Sequence, residues 1–263
     1  MPDKSAPTDF PLILDAHCHL GYFRNFHIPD AQIEGFVVNL DRVGIDIAVL
    51  SSHMAISSDT PRGNDLVIDA MKRYPDRILG HCTVNPNYPN DVERELERCF
   101  SVPGFRSIKL HPELHGHYPL EGEGYRRMWE FANDRHLPVL SHTHFAGDGL
   151  DVFARLAERY RAVTILLGHA GFDLGIEGVI RLLETHDNIV LDLTGPLFFE
   201  GFVDYLVSEL GADRLLFSSD SPFVNPALQL GGVVGARISR EEKRKILGLN
   251  AASIFDVDAE AFV

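Results

Sequence analysis

In the stretch LILDAHCHL (residues 12–20), two histidines, His17 and His19, flank a single cysteine where an apolar run ends. Side chains of a β-strand alternate between faces, so imidazoles at i and i+2 project from the same side. Two neutral imidazoles held this way can share one metal ion, and their nitrogens suit Zn²⁺, Fe²⁺ or a similar cation. A third imidazole from His142, in SHTHF, and a carboxylate from Asp220, in SSDSP, would complete an N/O site with room for water. A cation so held lowers the pKa of bound water from about 15.7 toward about 7, which supplies a nucleophile at neutral pH.

These residues are far apart in the chain, so a repeated structural unit has to bring them together. Eight short apolar segments read as strands: LILDA (12–16), IDIAVLSS (45–52), RILGHCTV (77–84), FRSIKL (105–110), LPVLSH (137–142), VTILLGH (163–169), NIVLDL (188–193) and RLLFSSD (214–220). Most carry Ile, Leu and Val on both faces, as strands buried in a parallel sheet do. Between them lie segments such as AQIEGFVVNLDRVG and LDVFARLAERY, with apolar residues near i, i+3 and i+4, the pattern of helices with one buried face. Eight such units predict an α/β protein, a (β/α)8 barrel of the TIM type, with a doubly wound open sheet as the alternative. SREEKRKILGLNAASIF (239–255) reads as closing helices, residues 1–11 as a flexible lead-in, and residues 12–263 as one domain. A barrel of this kind gathers its chemistry at the C-terminal ends of the strands. His17, His19, Lys109, His142, His169 and Asp220 all stand there or just beyond.

DAHCH, SHTH, GHAG and FSSDSPF, in this order, resemble the metal-dependent amidohydrolase superfamily. The resemblance is to the amidohydrolase-related branch that includes aminocarboxymuconate-semialdehyde decarboxylase, and it covers about residues 12 to 256. Phrases such as NIVLDLTG and ILGLNAASIF agree with it. The resemblance implies His17, His19, His142 and Asp220 as metal ligands. It also implies His169 as the group that polarises substrate or helps activate water, and Asp220 as the carrier of the reacting proton. One divalent metal per chain, zinc by expectation, is the favoured reading. Two ions would require Lys109, from SIKLHPE, to become a bridging carbamate. Otherwise Lys109 faces substrate as a cation, joined by Arg24, His111 and His144. His53, His81 and His115 also lie near strand ends, where any of them could line a pocket, although loop histidines are usually solvated. Cys18 faces away from the barrel mouth by strand alternation.

The net charge of −14 argues against nucleic acid and anionic membranes as partners. Three cysteines form no CxxC pair, and the first residues hold no apolar signal-like core, so a cytoplasmic protein is expected. The expected partner is a small organic substrate, and a homodimer would fit the resemblance. The expected activity is metal-dependent hydrolysis of an amide, lactone or ester. Non-oxidative decarboxylation of a small unsaturated or aromatic acid is the alternative. The chain is shorter than the decarboxylases it resembles, and this tips the expectation to hydrolysis. A non-catalytic member of the same fold is the third reading.

Overall fold

The computed structural model describes residues 10–23, 27–144, 147–195 and 199–262. Eight parallel strands form one sheet in chain order: β1 (Leu14–Leu20), β2 (Ile47–Ser52), β3 (Ile78–Thr83), β4 (Phe105–Leu110), β5 (Val139–Ser141), β6 (Ile165–Leu167), β7 (Ile189–Asp192) and β8 (Leu215–Leu216). The helices on the outside include α1 (Ile33–Val43), α2 (His53–Ser57), α3 (Thr60–Arg73), α4 (Pro89–Phe100) and α5 (Glu123–Asp134). They continue with α6 (Leu150–Arg159), α7 (Ile176–Thr185), α8 (Phe202–Leu210) and α9 (Pro226–Val234). This is the (β/α)8 barrel that the alternation of segments predicts, and the sheet curls until its ends meet. No helix among the described residues is long and apolar enough to cross a membrane.

Alternate strand residues divide between two apolar layers. Leu14, Ile47, Val49, Leu140, Leu166 and Val190 belong to the cluster that fills the barrel, and Phe255 from the tail seals it. Ile13, Cys18, Ala48, Leu50 and Ile108 pack outward with the helices, so Cys18 faces away from the mouth as alternation requires. The tail is helical, as expected. It begins at Arg240–Arg244 with a reciprocal cap between Ser239 and Glu242, and ends in a helix at Asn250–Ile254. Gly248 lets this tail approach β1, because a Cβ there would lie 2.6 Å from the carbonyl oxygen of Leu12.

Three strands are shorter than their apolar runs. β5 stops at Ser141, β6 at Leu167 and β8 at Leu216, so His142, His169 and Asp220 stand beyond the ladder. After β8 the backbone exchanges sheet pairing for other bonds. Phe217 N donates to Ile246 O at 2.8 Å in the tail, while Ala16 N donates to Phe217 O at 3.1 Å across the seam.

That seam, where β8 meets β1, is closed by few bonds. Asp220 N donates to His17 O at 2.9 Å, and His19 N donates to Ser221 O at 2.7 Å. The β1–β2 register slips between Asp15 and Cys18, the mark of a bulge. Asp15, wholly buried, bridges the irregularity: its Oδ1 accepts from Ser219 N at 2.9 Å and from His17 N at 3.3 Å. Burial pushes its carboxyl up to about 7. Leaving both amides without an acceptor should cost about 2 to 6 kcal/mol, at about 1–3 kcal/mol for each buried orphan group. Asp15→Ala should therefore unfold at lower denaturant, whereas Asp15→Asn, which keeps an oxygen in place, should recover most of the loss. Chemical denaturation of the three proteins checks this, and equal losses in the two variants would show that the acceptor is not what matters.

Candidate metal and active site

His17, His19 and Asp220 bring one donor atom each to within 4.8 Å of one another at the mouth of the barrel. Both imidazoles are held by their far nitrogens. His17 Nδ1 lies 2.5 Å from the Asp192 carboxylate, and His19 Nδ1 lies 2.9 Å from Ser51 Oγ. A carboxylate on Nδ1 makes it the protonated nitrogen and leaves the Nε2 lone pair for a metal, an arrangement common around metal-bound histidines. The two Nε2 atoms are 3.2 Å apart, and Asp220 Oδ1 lies 2.9 Å from His19 Nε2 and 3.8 Å from His17 Nε2. Donors about 2.1 Å from a common ion, at tetrahedral to octahedral angles, stand about 3.0–3.4 Å apart. The His17–His19 and His19–Asp220 separations lie at or near this range and the His17–Asp220 one is wider, so two neutral nitrogens and a carboxylate oxygen stand close to the geometry a divalent cation needs. Burial, and the neighbouring Lys109, keep His17 uncharged by pushing its pKa well down, and burial does the same for His19.

Asp220 and His169 sit in strained backbone. Asp220 has φ 60°, and His169, Ala170 and Gly171 form a run of left-handed residues with φ between 52° and 60°. Such values are uncommon for residues with a side chain and concentrate at functional sites. They aim the His169 ring across the mouth, its centroid 5.5 Å from that of His17 and 4.7 Å from that of His142. Gly168 makes the turn possible, since a Cβ there would meet Ser141 O at 2.6 Å. Burial lowers the pKa of His169 while Asp220 opposes the shift, and burial raises that of Asp220 while His169 opposes it.

His142 stands apart from the first group. Its Nδ1 lies 3.0 Å from His169 Nε2, its ring stacks on His111 at 3.9 Å, and its donor atom gathers with those of His111 and Glu113. The reason is the early end of β5, which puts His142 in the loop instead of on the strand face. Lys109 lies beneath the cavity and not along its wall. It is wholly buried, with Nζ 2.7 Å from His17 Nε2, and burial pushes its pKa down to about 8. His111 and His144 do line the cavity, and His144 Nδ1 pairs with Asp173 at 2.7 Å. Arg24 lies outside the described residues. His53, His81 and His115 are buried and not solvated, and His53 lines the cavity. Each has taken a protein partner: His53 the Gly21 carbonyl, His81 Ser107 and the Ala16 carbonyl, and His115 the Tyr125 hydroxyl.

Ser51 and Asp192 stand at strand ends in the sequence and Glu113 just beyond one, but the sequence assigns none of them a role. The cavity over the site measures about 310 Å³ and has Phe23 and Phe223 in edge-to-face contact on its wall, with His53 against both. A larger groove of about 540 Å³ lies among Glu97, Arg127, Arg135 and Arg159 on the helical surface, and no imidazole lines it.

The chain is 24% identical to gamma-resorcylate decarboxylase of Polaromonas sp. (strain JS666 / ATCC BAA-500), over 98% of this chain and 93% of that protein. Its fold matches 5-carboxyvanillate decarboxylase of Novosphingobium aromaticivorans, solved with manganese and 4-hydroxy-3-methoxy-5-nitrobenzoic acid. The TM-score is 0.73 at 18% identity, covering 94% of this chain and 96% of that one. It also matches dihydroxybenzoic acid decarboxylase of Polaromonas sp. JS666, solved with manganese and 2-nitroresorcinol, with a TM-score of 0.71 at 19% identity and coverage of 93% and 97%. These relatives overturn the expectation of hydrolysis, because they are decarboxylases. The curated relative is the longer protein, since the alignment runs over 318 positions against 263 residues here, and it is a decarboxylase all the same. The family model described as Amidohydrolase matches residues 14–257, nearly the whole barrel, and the chain belongs to that family of enzymes.

Proposed function

We propose that this protein is a divalent-metal-dependent, non-oxidative decarboxylase of a small aromatic carboxylic acid. The observation that carries the proposal is the gathering of His17, His19 and Asp220 beside His169 in an aromatic-walled cavity. The kinship with decarboxylases supports it. At about 310 Å³ the cavity lies at the small end of the ~300–1,000 Å³ usual for small-molecule sites. His17, His19 and Asp220 would hold one ion, with His142 as the proposed further ligand. The donor set does not single out zinc, since imidazole and carboxylate also accept manganese, the ion in the related structures.

When bound, the ion supplies positive charge that attracts and orients the substrate carboxylate. Phe23 and Phe223 pack the ring and keep water from it. Asp220 and His169, both on the cavity wall, deliver a proton to the ring carbon that bears the carboxylate. The bond from that carbon to the carboxylate then breaks, its electron pair restores the aromatic ring, and CO₂ leaves. The proton donor is refilled from solvent, so the net change is one carboxylate plus one proton giving one C–H bond and CO₂. Asp192 and Ser51 act by fixing the two imidazole rings, and Lys109 offsets negative charge beneath them.

Elemental analysis of protein purified without chelators should find about one divalent ion per chain, and His17→Ala, His19→Ala and Asp220→Ala should each lose most of it. A wild-type protein that takes up none would sink the proposal, and two ions would move Lys109 into the metal site. His142→Ala should bind the ion more weakly if that imidazole joins the set, and unchanged affinity would exclude it.

Turnover of 2,6-dihydroxybenzoate and related aromatic acids in D₂O should release CO₂ and leave one deuterium at the carbon that lost the carboxylate. Asp220→Asn and His169→Asn should slow this step by about 10²- to 10⁴-fold, the usual worth of a positioned proton donor. Full activity in both variants would remove them from the mechanism.

A further inference from the structure

The cavity has a second polar group beside His169, where the donor atoms of His111, Glu113 and His142 gather apart from those of His17, His19 and Asp220. The first question is whether it holds a second ion. The rings of His111 and His142 stack at 3.9 Å with planes 15° apart. Imidazole lone pairs lie in the ring plane, so those of two stacked rings run side by side and do not converge on one cation. Chelation by both rings is therefore ruled out in this arrangement, and the cluster offers hydrogen-bonding edges to the cavity.

Glu113 is the unusual member. Among the described lining residues it is the one carboxylate besides Asp220, and no lysine or arginine lines the wall with it. His111 Nδ1 lies 3.8 Å from its carboxylate, too far for a hydrogen bond, and burial keeps that ring uncharged. That nitrogen already accepts from Leu114 N at 3.4 Å and so presents a lone pair, not a proton, to the acid. The Glu113 side chain is 34% exposed, and within the described protein no donor satisfies it. An acceptor left open on a cavity wall is matched by a ligand that brings a donor, and it repels one that brings another carboxylate.

We propose that Glu113 sets substrate choice, accepting a hydrogen bond from a ring hydroxyl or amino group remote from the carboxylate that is lost, and turning away substrates with a second carboxylate there. This rests on the decarboxylase reading for the placement of the substrate: with its reacting carboxylate beside His19 and Asp220, the ring occupies the one cavity whose wall Glu113 shares. Glu113 touches no reacting atom, so it acts on affinity and selection.

The test uses metal-loaded wild type, Glu113→Gln, Glu113→Ala and Glu113→Lys, with folding checked by circular dichroism. Steady-state kinetics are measured on aromatic acids matched except for hydroxyl, amino, hydrogen or carboxylate at the remote position. Wild type should favour hydroxyl and amino over carboxylate. In Glu113→Ala the KM for the donor-bearing acids should rise about 10- to 100-fold with kcat little changed, the worth of a hydrogen bond to a charged group. Glu113→Lys should shift preference toward the dicarboxylate. Unchanged selectivity in all three variants would overturn the proposal and leave the decarboxylase reading standing. Calorimetric binding of resorcinol, aniline and isophthalate, which needs no turnover, separates the two ideas. A preference for resorcinol and aniline that vanishes without Glu113, in a protein that decarboxylates nothing, would uphold the recognition role and refute the reaction.

Discussion

The seam between the last strand and the first is the constraint on which the site depends. One backbone bond, from Asp220 N to His17 O, joins the two residues proposed to share a cation. The distance between their side chains is thus set by main-chain pairing and not by the reach of flexible side chains. Asp15 completes the joint from below by accepting from the residue before Asp220 and from His17 itself. The ligands inherit the rigidity of barrel closure, and an opening of the seam would separate them at once.

Around that seam the imidazoles are arranged by what holds their second nitrogens. His17 leans on Asp192 and His19 on Ser51, so each ring is oriented with its Nε2 toward the other, and Lys109 Nζ lies 2.7 Å from that of His17. Burial then keeps these rings neutral, since a protonated imidazole would be poorly solvated there. The same burial raises the pKa of Asp220 and lowers that of Lys109, which brings acid and base strengths closer together than they are in water.

The barrel was legible because its strands are apolar on both faces and its helices on one, a pattern that survives without knowledge of contacts. The limits of the strands were not. LPVLSH and RLLFSSD read as continuous runs, but the strands end at Ser141 and at Leu216; after Leu216 the backbone groups of Phe217 find partners in the tail and in β1. His17, His19 and Asp220 were readable from spacing and strand ends. The displacement of His142 was not, since it follows from where β5 stops. Asp192, Ser51 and Glu113 matter through what they face across the barrel, and a linear pattern carries no such information. The burial of His53, His81 and His115 was missed for the same reason: residue type tells which groups can hydrogen-bond, not how deep they lie.

The left-handed backbone at His169 and Asp220 sets activity against robustness. An L-residue in that region costs about 1–2 kcal/mol, and glycine would relieve it. At these two positions a substitution that relieves the backbone also removes a side chain proposed to carry the reaction. Selection for thermal resistance alone would then favour glycine where an imidazole or a carboxylate now stands, at the expense of the proposed chemistry.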